Sequence, residues 1–321
     1  MRVLQVAVVG ARYVASLREA EAPVPRSGEV LIRVAASGVN RADLSQIAGR
    51  YPSPPGEPDG LGLEVAGTVA PSGEGVCALL GGGGHAEYVA APEGQVFAVP
   101  GRVDPPGGAA IPEAFLTAFL NLVVEAGLRT GETVLVHAGA SGVGLAAIQV
   151  AKYLGARVIA TTRTLAKVAA LDRAGADLAL HAPQADFAAP INARYGPNAV
   201  DIVLDPVGAA TLAGNLVVLA PGGRIIFIAT LSGAHAALDV APLMQKGARV
   251  LGSMLRARSR HEKATLVARF RREILPGFES GRLRPVIDSV FPPERAAAAF
   301  ERMRGNENSG KIVIDWGGAA S

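Results

Sequence analysis

The sequence predicts an α/β protein of two domains, a doubly wound parallel sheet joined to a smaller, β-rich unit. Three observations carry this. The chain has 321 residues, more than one hydrophobic core usually organises. From about residue 133 onward, short apolar runs alternate with helix-forming stretches, the pattern of βα crossover units. Before about residue 112 the apolar runs are separated by Gly and Pro turns, as in a small, partly open barrel. An apolar content of 50% with 39 Gly and 22 Pro suits that combination.

In order, residues 1–7 read as a first strand, too poor in apolar residues for a signal peptide. A turn at 25–28 leads into a strand at 29–36, followed by a short helix at 41–47. The run YPSPPGEPDG at 51–60 is a loop, because its prolines lack a backbone N–H and its glycines favour turns. Strands follow at 63–70 and 86–90, and Pro112-Glu113 opens a helix over 114–126. Six strands are expected at 133–137, 157–161, 178–180, 200–204, 224–229 and 249–254. Helices are expected between them at 142–154, 164–174, 184–195, 208–220 and 239–246. The remainder holds a helix at 259–279, an apolar segment at 285–291, a helix at 293–303 and a last strand at 311–315. That strand is most simply returned to the first domain, which then comprises 1–113 and 257–321, with 114–256 as the nucleotide-binding domain.

Charge and composition narrow the function. No run approaches the roughly 20 apolar residues of a membrane span, so no membrane role is expected. The cations Arg256, Arg258, Arg260, Lys263, Arg269, Arg271 and Arg272 are interleaved with Glu262 and Glu273, which reads as a solvated helix face and not a nucleic-acid surface. Cys77 is the only cysteine, which excludes an internal disulfide and a multi-cysteine zinc site and fits a reducing cytoplasm.

The stretch 133–152, TVLVHAGASGVGLAAIQVAK, carries the clearest chemistry. An apolar strand runs into a glycine turn and out into a helix. Gly139, Gly142 and Gly144 allow a tight turn, backbone approach to a pyrophosphate and close helix packing. Ser141 and Val143 lie within the same turn, and the first N–H groups of the helix face an anion. Preference for NAD calls for an acid about 20 residues on. The second strand instead ends Thr161-Thr162-Arg163, with Lys167 one helical turn later. Two cations beside small hydroxyls suit a 2′-phosphate, so the expected cofactor is NADPH, held by Gly139, Ser141, Gly142, Val143, Gly144, Thr162, Arg163 and Lys167.

These residues, with ASGVNRADL at 36–44, GRYP at 49–52, GLEVAG at 62–67, RLRPVID at 282–288 and GKIV at 310–313, resemble the medium-chain dehydrogenase/reductase superfamily. Within it they resemble the zinc-independent quinone oxidoreductases, the zeta-crystallin-like branch. The resemblance covers nearly the whole chain. It implies a chaperonin-10-like (GroES-like) barrel plus a Rossmann domain, NADPH in the cleft between them, and a homodimer paired through the strand at 249–254. It implies hydride transfer to a quinone or another electron-poor alkene. It also places Asn40 against nicotinamide and substrate, gives Tyr51 and Ser141 functional positions, and makes Lys311 a cofactor-side lysine. In the zinc-dependent cousins the loop at 38–40 supplies a cysteine and position 63 a histidine; here these are Gly38-Val39-Asn40 and Leu63, so no zinc site is expected. The chain departs from the family at 70–76, where about ten residues, roughly a short strand and its turn, are missing and the barrel is expected to open. Ala182 also stands where relatives often carry a tyrosine beside the 2′-phosphate.

Hydride transfer asks the protein for positioning and for donors toward the oxygen that gains charge. Asn40 and Tyr51 are the expected donors. No Ser/His/Asp nucleophile set is assigned, and no general acid is named. His137, before the glycine turn, reads either as a satisfied core residue or as an orienter of the cofactor loop. Two alternatives stay open: an enoyl-thioester reductase on the same plan, or a nucleotide-binding protein with little turnover.

Overall fold

The computed structural model describes residues 1–317; positions 318–321 of the expected stretch 257–321 lie outside the described residues. The chain forms two compact units, dividing at 116/117 and 254/255 where the sequence reading divided it at 113/114 and 256/257.

The first unit opens with a hairpin of β1 (Arg2–Val9) and β2 (Arg12–Glu19), antiparallel throughout. Its pivot is β3 (Glu29–Val39), which pairs with β4 (Glu64–Ala70) along one edge. A register shift between Val34 and Ala36 bends β3. The short helix α1 (Arg41–Ile47) lies between β3 and β4 in sequence, as expected. Then come β5 (Gly75–Leu79), β6 (Tyr88–Pro92) and β7 (Val96–Ala98), followed by α2 (Pro105–Gly108) and α3 (Pro112–Phe119). The helix continues as a π-helical turn, Leu120–Glu125.

The second unit alternates strand and helix. It contains β8 (Thr133–Val136), α4 (Gly142–Tyr153), β9 (Arg157–Thr162), α5 (Val168–Arg173), β10 (Leu178–His181) and α6 (Ala188–Tyr195). It continues with β11 (Val200–Asp205), α7 (Leu212–Val218), β12 (Leu219–Phe227), α8 (Val240–Gln245) and β13 (Arg249–Gly252). The strands form one parallel sheet in the order β10-β9-β8-β11-β12-β13. The order reverses between β8 and β11, and at that point a doubly wound sheet binds its ligand. Thr133, Val134, Leu135 and Val136 are all buried, as a central strand covered on both faces requires.

The chain then returns to the first unit through α9 (Arg260–Glu273), α10 (Leu275–Glu279), β14 (Ile287–Phe291), α11 (Ala296–Arg304) and β15 (Lys311–Asp315). The last strand inserts between β14 and β3, so the sheet reads β14-β15-β3-β4-β5-β7 with β6 also on β3. Its core joins Ile32, Val34 and Val65 to Phe300, Ile312 and Trp316. This is the GroES-like and Rossmann combination.

Several details differ from expectation. The helix at 259–279 is two helices, because Pro276 has no N–H to continue the ladder. The helix expected from 208 starts at Leu212, since the backbone of Val207 and Gly208 is tied to the Asp205 carboxylate. The strands β2, β5 and β7 were not anticipated. Five of the eight β2 residues are exposed, and β7 has three residues, too few to show a period. The shortened stretch at 70–76 does not open the sheet. A tight turn with Gly73 at φ +76° joins β4 directly to β5, which pairs with β4 on one side and β7 on the other. Finally, Pro105–Glu125 is, by length and a mean hydropathy of 1.5, apolar enough to cross a membrane, contrary to the expectation that no run approaches this. Its window is 83% buried, the state of a core helix, and its Pro and Gly residues masked it in sequence.

Candidate active site

In the second unit, the turn after β8 is built as the glycines require. Ser141 caps α4: its hydroxyl accepts from the Gly144 N–H at 3.0 Å. Gly144 cannot carry a side chain, because a Cβ there would lie 2.5 Å from the Ala138 carbonyl oxygen and 2.6 Å from that of Gly139. The Gly139 N–H donates to the Thr161 carbonyl at 2.8 Å, tying the turn to the end of β9. No described residue accepts from the N–H groups of Gly142 and Val143, the first two of the helix. They are free to face an anion, so the turn fits a pyrophosphate.

The end of β9, tied to this turn through Thr161, leads into the residues expected to meet a 2′-phosphate. Thr162 is buried, and its hydroxyl accepts from the Thr164 N–H. Arg163 is exposed, and among the described residues its guanidinium has no hydrogen bond or ion pair. Lys167 is half-buried within the 3-10 turn leading to α5. Ala182 is next to them, its N–H donating to the Thr162 carbonyl at 2.9 Å. Arg163 and Lys167 can hold a 2′-phosphate; the small Ala182 contributes no polar group.

Beneath the turn is a network that sequence reasoning missed. His137 is buried, with Nδ1 2.8 Å from Thr161 Oγ1 and Nε2 2.7 Å from Asn215 Oδ1. Asn215 Nδ2 donates to Asp205 at 2.7 Å, and Thr211 and the N–H groups of Val207 and Gly208 donate to the same carboxylate. Burial lowers the His137 pKa, against the pull of Asp205 and Asn215, so its ring is neutral and structural. The signal for Asp205 was an acid at a strand end before Pro206, easily taken for a turn residue.

The first unit holds the other expected residues, and here the structure corrects the sequence. Asn40 precedes α1 with its amide wholly occupied. Its Nδ2 donates to Glu64 at 2.9 Å and to the Gly38 carbonyl at 3.2 Å, and its Oδ1 accepts from Lys311 at 2.6 Å. It is therefore not the spare donor that the sequence reading made it. Lys311, expected on the cofactor side, is buried, and its ammonium also donates to Glu64 and to the Val39 carbonyl. The other oxygen of Glu64 accepts from the Glu113 N–H at 2.8 Å. Glu64, which was not among the expected site residues, is thus the centre of the cluster.

Asp43 adjoins it. Burial raises its pKa, but His85 and the N–H groups of Asn40 and Gly62 outweigh this and hold it below the usual carboxylate range. Trp316 donates to Ser37, whose hydroxyl lies 2.8 Å from His85 Nδ1, and His85 Nε2 is 3.7 Å from Asp43. This serine, histidine and acid are completely buried, so the trio holds β3, β15 and α1 together and presents no nucleophile to solvent.

Tyr51 is on the irregular segment that sequence predicted. Arg256 fixes it, donating to the Tyr51 carbonyl at 3.1 Å, to Ser53 at 2.9 Å and to Gly81 at 2.9 Å, with its guanidinium 5.1 Å from the ring centre. Burial first, and then the charge of Glu113, push the Tyr51 phenol up to about 12 against the opposing charge of Arg256, so it is a protonated donor at neutral pH. Among the described residues no group of three or more His, Cys, Asp or Glu is placed to hold a metal ion.

Fold and site together define a two-domain, dinucleotide-binding oxidoreductase. Comparison with known proteins agrees. The alcohol dehydrogenase GroES-like domain family matches residues 26–101 and the zinc-binding dehydrogenase family matches 142–272. A quinone oxidoreductase of Sus scrofa is 32% identical over 91% of this chain and 90% of its own. The quinone oxidoreductase of Thermus thermophilus, solved alone and in complex with NADPH, is 34% identical with a TM-score of 0.82, covering 98% of this chain and 100% of that one. A spectinabilin polyketide synthase protein of Streptomyces orinoci is 35% identical over 92% of this chain, a match that spans 13% of that longer protein. The chain belongs to the medium-chain dehydrogenase/reductase superfamily, in its quinone oxidoreductase, zeta-crystallin-like branch. It is an oxidoreductase.

Proposed function

We propose that this protein reduces a quinone or another electron-poor alkene with NADPH and without zinc. The observation that carries the cofactor choice is Arg163, an exposed guanidinium without a partner among the described residues, beside the anion-ready turn of Gly142 and Val143. Bound there, the reduced nicotinamide supplies the hydride. The chain's own contribution is to anchor the diphosphate at α4, to meet the 2′-phosphate with Arg163 and Lys167, and to present the Tyr51 hydroxyl to the acceptor oxygen as it gains charge. Asn40 and Lys311 act by holding Glu64 and the start of α1. Absence of zinc is supported by the residues that stand in the cousins' ligand positions: Asn40 carries an amide already engaged by Lys311 and Glu64, and Leu63 has no donor atom.

A second reading, an enoyl-thioester reductase, is favoured by one observation, the similarity to a stretch of a polyketide synthase protein. A homodimer is also proposed. Strand β13 is at the sheet edge, and Val250, Met254, Val240 and Met244 are exposed on and near it. The single, buried Cys77 accords with a cytoplasmic location.

The test mixes the purified protein with NADPH and 9,10-phenanthrenequinone, 1,2-naphthoquinone or crotonyl-thioester and follows cofactor absorbance. Quinone reduction is expected to dominate; preference for the thioester favours the second reading, and no oxidation by any acceptor overturns both. Arg163→Ala is expected to weaken NADPH binding roughly 10- to 100-fold while NADH binding changes little. Equal effects on both would remove Arg163 from the phosphate site. Metal analysis is expected to find no stoichiometric zinc.

A further inference from the structure

Reduction of an alkene leaves a proton to be delivered after the hydride, and of the three carboxyl groups in the buried cluster of the first unit one has no hydrogen-bond partner among the described residues. Three carboxyl groups lie in the cluster around Asn40. Asp43 accepts from the N–H groups of Asn40 and Gly62 and faces His85. Glu64 accepts from Asn40, Lys311 and the Glu113 N–H. The Glu113 carboxyl, in the first turn of α3, makes no hydrogen bond or ion pair with any described residue. It is also the only one of the three that solvent reaches, since Asp43 and Glu64 are 0% exposed and Glu113 is part-buried. A saturated carboxylate holds structure; an idle, reachable one can carry a proton.

We propose that the Glu113 carboxyl is the acid that protonates the substrate after hydride transfer, an inference that rests on the reductase reading above. The step balances. The alkene carbon remote from the carbonyl gains the hydride and the cofactor is oxidised, which leaves an enolate. A bond then forms between the carbon beside the carbonyl and the Glu113 proton, the O–H bond breaks, and Glu113 is left as a carboxylate. Its solvent-facing side takes up the next proton from water. Tyr51 steadies the enolate oxygen meanwhile, and its phenol, with a pKa near 12, keeps its own proton.

The surroundings keep Glu113 suited to that task. Burial, then the negative charges of Glu64 and Asp43, raise its pKa to about 7, against the lowering charges of Lys311 and Lys263. Lys263, itself buried on α9, has its pKa lowered by burial. The Glu113 charge also acts on Tyr51, whose ring lies against the Arg256 guanidinium, and Glu57, Arg256 and Arg260 act in turn on Lys263. An acid with a pKa near the working pH is half-loaded and transfers its proton with little loss of driving force.

The experiment uses the full chain with NADPH and 2-methylcyclohex-2-enone, whose product has a new stereocentre at the protonated carbon. With the wild-type protein, kcat/KM is expected to fall tenfold per pH unit above about 7, as Glu113 loses its proton, and the product to be a single enantiomer. Glu113→Gln is expected to lose that limb, to slow enone reduction about 100-fold, and to give a racemic product, because water then protonates either face. Glu113→Asp restores a shifted limb. An infrared titration of the wild-type protein is expected to show a carboxyl band vanishing around pH 7 that Glu113→Gln lacks, a readout independent of turnover. A Glu113→Gln protein that keeps both the limb and the single enantiomer overturns the proposal and leaves the reductase reading intact. Wild-type protein that oxidises NADPH with neither the enone nor 9,10-phenanthrenequinone overturns both.

Discussion

Glu64, at the start of β4, and Asp205, at the end of β11, are both completely buried, and each shares its cluster with an asparagine, Asn40 in one unit and Asn215 in the other. The means of support differ. Asp205 is met only by neutral donors: two backbone N–H groups, the Thr211 hydroxyl and the Asn215 amide. The one base within reach, His137, is kept neutral by burial. Glu64 instead faces a full cation, the Lys311 ammonium, and a second carboxyl, Glu113, follows it on α3. The first arrangement is a closed framework under the cofactor turn. The second keeps charge and an idle acid in one place, which proton chemistry requires and structural support does not.

The contrast is broken most severely at Lys311. Lys311→Met is expected to leave the Glu64 carboxylate buried without its cation and to cost about 3–5 kcal/mol, a drop of roughly 10 °C in melting temperature. The double variant Lys311→Met with Glu64→Gln is expected to recover part of the loss, because no uncompensated charge then remains. A drop no larger than that of an exposed lysine would show that the pair is not closed to water.

The neutral network is expected to be more forgiving. Asn215→Leu removes a donor from Asp205 and the partner of His137 Nε2, at about 2 kcal/mol by thermal or denaturant unfolding. The cost of Asn215→Leu is expected to vary little with pH above about 6.5, the ordinary histidine value, since burial lowers the His137 pKa and the ring is uncharged there. A strong dependence in that range would mean that His137 is charged in the folded protein.

The smallest effect is at Glu113, and its sign is the informative part. Its folded pKa, about 7, lies above the ordinary glutamate value of 4.5. Between those values the folded state holds more protons than the unfolded chain, so stability falls as pH rises through that window. Glu113→Gln is expected to flatten this decline, gaining of order 1 kcal/mol at about pH 8 once solvent screening of a part-buried group is allowed for. Equal melting shifts of wild type and variant from about pH 5 to pH 8 would place the Glu113 pKa near its unfolded value.

How much of this was legible beforehand follows the reach of each interaction. The glycine turn was, because its strand, Ser141 cap and helix lie within some twenty consecutive residues and each residue's role depends on its neighbours in sequence. The return of β15 to the first unit could also be read, since an apolar strand needs a sheet and the six-stranded one was already accounted for. The short β7 was not, and the break in the helix at 259–279 was overlooked although Pro276 announces it.

The roles of Asn40, Lys311, Glu64 and Glu113 were decided only by the tertiary structure. Asn40 was read as a free donor because only the Gly38 carbonyl is near it in sequence; its side-chain partners Glu64 and Lys311 are 24 and 271 residues away. Glu113 was read as an acid opening a helix, and nothing local marks it as protonated near neutrality. The sequence by itself determined the order of the units, the glycine turn between β8 and α4, and the identities of Asn40 and Leu63, all of which depend on contiguous residues and side-chain identity. Which amide is occupied, which ammonium is buried and which carboxyl is idle depend on segments that folding brings together and on the water it removes, because both set the energy of a charge.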